Sequence, residues 1–140
     1  VSAEEISRLQ GVELARACAE AMGWVNCLSS LTEDGRTAHW WTGRTYRTLI
    51  GNSYGLGYFC PQSDLNHSAE FLAWLLDNHP GFNFTACSVI VQIEGIPTRH
   101  YRAELWRGLG DGAEVYFATD TSRALAETRA TLMACEGTKK

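Results

Sequence analysis

A chain of 140 residues, 45% apolar and 20% charged, has the make-up of a globular protein built as a single domain over residues 1–140. Its net charge of −4 argues against a nucleic-acid coat, which needs a basic face, and suits docking on a basic partner. No apolar run approaches the roughly 20 residues of a bilayer span and no basic-then-apolar leader opens the sequence, so no membrane association and a cytoplasmic setting are expected.

Ser2 and Glu5 spell a capping box, and Ile6, Leu9, Leu14, Ala17, Cys18, Ala21 and Met22 supply an apolar face for a first helix. Gly11 interrupts that face, so a short turn of helix should precede a main helix starting near Val12 and stopping at Gly23. Residues 24–59 are irregular; Trp40, Trp41, Tyr46, Leu49 and Ile50 are strand-prone and suit one or two short strands. The glycines of residues 51–57 do not lead from a strand into a helix, so they mark a loop and not a dinucleotide fingerprint.

A second helix is expected from about Ser63, with Leu65, Ala69, Leu72 and Leu76 along one face, ending at Asn78-His79-Pro80-Gly81. Three strands follow, over residues 85–94, 99–106 and 113–118, joined by turns at Gly95-Ile96-Pro97 and across residues 108–112. The middle strand alternates: Tyr101, Ala103 and Leu105 face one way, His100, Arg102, Glu104 and Trp106 the other. Asp120 or Thr121 should cap the last helix, whose buried face is Leu125, Thr128, Leu132 and Cys135, with Gly137 as its left-handed stop. The stem of Arg129 should pack while its charge reaches solvent, or else bind an anion. The fold class is therefore α+β: an antiparallel sheet of about four strands with helices packed on it, an α-β-α sandwich with helices near both termini.

The five cysteines form no C-x-x-C pair and the four histidines show no i, i+4 spacing, so no metal site and no cofactor are expected. The thiols read as reduced and mostly buried, although a Cys–His pair could still meet in space. No serine sits in a nucleophile elbow, and the chain reads as non-enzymatic.

Two clusters are candidate ligand-binding sites. In the first, Trp40, Trp41, Tyr46, Arg44 and Arg47 interleave aromatic rings with guanidinium groups, which suits stacking and clamping of a nucleotide-like anion. The same run also suits a strand whose Trp residues pack and whose arginines face water. Adjacent Trp residues cannot both point inward from a regular strand, which leaves one for a surface or an interface. In the second, His100, Arg102 and Trp106 share a row with Glu104. A helix laid over that row would make it a pocket; water over it would make it a charge ladder.

Three segments resemble the phage ABA sandwich domain family: the Met22-Gly23-Trp24 exit of the first helix, Ser63-Asp64-Leu65 after Pro61, and Asp120-Thr121 continuing through Ala124-Leu125-Ala126, Arg129-Ala130 and Leu132. They cover both ends and the middle of the chain; residues 24–59 show no likeness. The resemblance implies an antiparallel sheet with packed helices and a phage or prophage origin, but no reaction. The resulting expectation is a small accessory protein of the host cytoplasm, a counter-defence factor binding a small nucleotide ligand, and a homo-oligomer. The alternative is an inhibitor or adaptor that docks on a host protein through exposed aromatics.

Overall fold

In the computed structural model, residues 2–31, 37–42, 56–58 and 61–139 are described, those of the first three strands at the level of the backbone. Helix α1 (Ala3–Arg8) starts at Ser2, whose hydroxyl accepts from the Glu5 N–H at 3.2 Å. Helix α2 (Gly11–Ala21) follows two residues later, with Gly11 at φ 57°. It ends as the sequence requires. Gly23 takes φ 81°, and the N–H groups of Gly23 and Trp24 donate back to the carbonyls of Glu20 and Ala19.

Strands β1 (Val25–Leu31), β2 (Thr37–Thr42) and β3 (Leu56–Tyr58) form a three-stranded antiparallel sheet in that order. Strands β4 (Asn83–Ile93), β5 (Ile96–Arg107) and β6 (Glu114–Asp120) form a second one, again in sequence order. The expected sheet of about four strands is thus two sheets of three among the described residues. The extra strand β1, Val-Asn-Cys-Leu-Ser-Ser-Leu, lacks the strict alternation that reveals a strand in sequence, and a register shift between Asn26 and Leu28 breaks its ladder.

Helices α3 (Leu65–Asn78) and α4 (Arg123–Gly137) complete the fold. Helix α4 lies directly on β5 and β6, and α1, α2 and α3 pack on α4. The core joins Ile6, Leu14 and Cys18, Phe71 and Leu75, Ala103, Leu105 and Ala118, and Ala126, Ala130 and Leu132. Among the described residues the helices therefore gather on one face of the β4–β6 sheet, the side of Ala103 and Leu105, and not on both faces as in the expected α-β-α sandwich.

A helix covered on several sides cannot follow a one-faced pattern. Ten residues of α4 are buried, from Ala124 to Cys135, while Leu125, placed on the expected buried face, is only partly covered. Four alanines leave room for close approach, and the polar residues are satisfied internally. Thr128 Oγ1 donates to the Pro61 carbonyl at 2.9 Å, and Thr131 Oγ1 donates to the Glu127 carbonyl at 2.7 Å. Glu127, with 5% of its side chain exposed, accepts from Ser68 Oγ of α3 and from Arg123 Nε, each at 2.9 Å.

Three expectations for these helices are corrected. The α4 cap is Ser122, whose Oγ accepts from the Leu125 N–H at 3.3 Å; Asp120 instead receives the Ser122 N–H at 2.9 Å. Gly137 lies inside the helix, and a Cβ there would run into the Tyr116 ring. Helix α3 is capped by Asp64 and buries His67, Ser68, Phe71 and Leu75, whereas Leu65 and Ala69 of the expected face are exposed. The Ser68–Glu127 hydrogen bond and the Phe71/Leu75 packing turn α3 toward α4 on that side.

Candidate functional site

The side of the β4–β6 sheet away from α4 carries the row read from the sequence. Antiparallel pairing sets Trp106 between Asn83 and Val115, Glu104 between Thr85 and Phe117, and Arg102 between Cys87 and Thr119, with His100 opposite Val89. Directly paired residues share a face, so these side chains form one surface. Phe117 is 49% and Val115 51% exposed, whereas Ala103 and Leu105 on the reverse face are buried against the helices. The face is open.

Arg102 and Glu104 are engaged with their neighbours. The Arg102 guanidinium carbon lies 4.0 Å from the centre of the Phe117 ring, close enough for a cation–π contact. Arg102 Nε donates to Glu104 Oε2 at 3.3 Å, two residues along the same strand. His100 Nε2 is enclosed and makes no hydrogen bond. Cys87 is an exposed free thiol, unlike Cys18 and Cys135 in the core. Flat aromatic surface, a stacked guanidinium and a neighbouring carboxylate can recognise another surface by stacking and hydrogen bonding. The enclosed imidazole nitrogen cannot reach a ligand without rearrangement.

Trp40 and Trp41 lie on β2, the central strand of the other sheet. Trp40 is paired with Leu28 and Tyr58, and Trp41 with Asn26 and Gly57. Arg44, Tyr46 and Arg47 lie outside the described residues. The expected ligand residues thus divide: His100, Arg102 and Trp106 share one face, and the two tryptophans belong to a different sheet. Compared with known proteins, the chain matches no family model and no curated protein.

Arg129 neither reaches solvent nor stands ready for an anion. It is 12% exposed, and its Nε and Nη2 donate to the Leu9 carbonyl at 3.2 and 2.8 Å, while Nη1 meets Asp120 Oδ2 at 3.4 Å. It satisfies the carbonyl at the end of α1 and ties that helix to α4. A second closed network sits at the foot of the helix-covered face. Arg107 Nη2 donates to both Glu114 oxygens at 2.9 and 3.1 Å, and Tyr116 OH donates to Glu114 Oε2 at 3.0 Å. The Arg107 hydrogen bond, then that of Tyr116, holds the Glu114 carboxyl below its usual value. Burial, then the Glu114 hydrogen bond, pushes the Tyr116 phenol up.

Sequence reasoning did not assign Phe117 and Val115 to the site. The last strand was expected over residues 113–118, but which half of β6 shares the Arg102 face depends on the length of the turn between β5 and β6. That turn contains a 3-10 segment at Gly110–Gly112, which sets Glu104 against Phe117.

Proposed function

We propose that the chain is a small non-enzymatic binding protein that docks on a host protein through the open face of the β4–β6 sheet. The observation that carries this reading is the half-exposed pair Phe117 and Val115 beside Trp106 and the stacked Arg102. Surfaces that become interfaces are enriched in aromatics and arginine, and an Arg already seated on a ring loses little freedom on binding. The segments resembling the phage ABA sandwich family add a setting, a phage or prophage accessory protein in the host cytoplasm acting against host defence. That part of the reading rests on residue pattern alone.

Binding of a nucleotide-like anion is the second reading. It is favoured by the β2–β3 register, in which Gly57, with no side chain, faces Trp41, next to the Arg44 to Arg47 run in sequence. At the β5 row, the Glu104 carboxylate beside Arg102 weighs against an anion. Two experiments separate the readings. Capture from host lysate should succeed with the wild-type protein and fail with Trp106→Ala, whereas calorimetric titration with cyclic and linear nucleotides should give no heat. Nucleotide binding together with capture that ignores Trp106→Ala would overturn the docking reading in favour of the second.

A further inference from the structure

The β4 edge of the second sheet is built unlike the edge of a protein that stays alone. Among the described residues β4 has one strand partner, β5, and its far edge faces no other strand. It runs eleven residues, Asn-Phe-Thr-Ala-Cys-Ser-Val-Ile-Val-Gln-Ile, with no charged residue and no proline. The ladder with β5 is continuous from Asn83↔Trp106 to Ile93↔Ile96, so no bulge bends it away. Monomeric proteins guard such edges with charge, proline, bulges or cover. Charge, proline and bulge are all missing from β4, and apolar side chains stand out, Ile90 at 62% exposure.

We infer that the β4 edge pairs antiparallel with β4 of a second copy, making a continuous six-stranded sheet. Charge argues for a copy and for this edge. Antiparallel self-pairing sets each residue against one equally far from the other end. On β4 every such pair is neutral, so two chains of net charge −4 meet where neither brings a charge. On the opposite edge, β6 begins with Glu114 and ends with Asp120, and self-pairing would set acid against acid at both ends. A charged foreign strand would find no complementary charge on β4. The dimer also extends the open face, because the two copies of that face become one surface across the joint.

Full overlap of the two strands places Ser88, the middle residue of β4 and an exposed one, against its own copy. The test uses Ser88→Lys and Ser88→Glu, which should leave each chain folded, as circular dichroism will verify. Mass is measured by sedimentation from about 1 μM to about 100 μM. The wild-type protein should sediment at twice 15.5 kDa, and each variant should dissociate with a constant raised on the order of tenfold. An equal mixture of the two variants should recover the dimer, since Lys then faces Glu. Amide exchange should slow at every residue of the wild-type β4, not at alternate ones. A wild-type monomer across that range overturns the proposal. So does a dimer that ignores Ser88→Lys, or an alternating exchange pattern along β4 within a dimer.

Discussion

Gly137 shows how much can rest on one absent methyl group. Its place near the end of α4 suggested a glycine chosen for left-handed backbone, yet Thr138 ends the helix in right-handed geometry. The residue is needed for space, because the Tyr116 ring fills the position a Cβ would take. Gly137→Ala should therefore destabilise the fold by about 1–3 kcal/mol, although alanine is the better helix former. Thermal unfolding checks this, and pairing the change with Tyr116→Ala should cost less than the two single losses added. Arg129 makes a similar point. Sequence offers a long cation at the rim of an apolar face, and nothing in it says that the carbonyl of Leu9 waits 120 residues away. Local signals were read at Ser2, Gly11 and Gly23, where the physics lies within a few neighbours.

Elements were legible where one face meets the core and the other meets water. Strand β5 alternated as expected, and the row of His100, Arg102 and Trp106 was visible because of it. Helix α4 hid its burial because it touches β5, β6 and the other three helices, and a surrounded helix has no single stripe to read. Helix α3 was expected to bury Leu65, Ala69, Leu72 and Leu76, but Phe71 and Leu75 turn inward beside the polar contact of Ser68 to Glu127, which no local pattern reveals. The β4–β5 hairpin turn carries a locally unfavourable choice. Glu94 takes φ 52° and Gly95 φ 79°, the pair of positive angles for which Asn-Gly is the preferred sequence. Glu94→Asn should raise stability by up to about 1 kcal/mol, read as a higher denaturant midpoint with unchanged slope.

For the molecule as a whole, alkaline pH offers a probe of the helical core. Burial, then the Glu136 charge, pushes the Cys135 thiol from 9.0 up to about 12, and burial, then Cys135, raises Cys18 in the same direction. The unfolded chain thus releases these protons first. The contribution of Cys135 is whole below pH 9.0 and is lost as pH climbs toward about 12. Denaturant midpoints should fall across that window, less steeply in Cys135→Ala. The site shows where sequence stops at this scale. One strand of it was readable, but the surface exists only once register sets Phe117 and Val115 beside Arg102 and Trp106. The most direct test of the proposed docking surface compares Phe117→Asp with the wild-type chain in capture of a protein from host lysate, and in affinity for it. Phe117 is half exposed, so the variant should fold as the wild type does, and its binding should weaken by about tenfold or more. Undiminished binding by the folded variant would contradict the account.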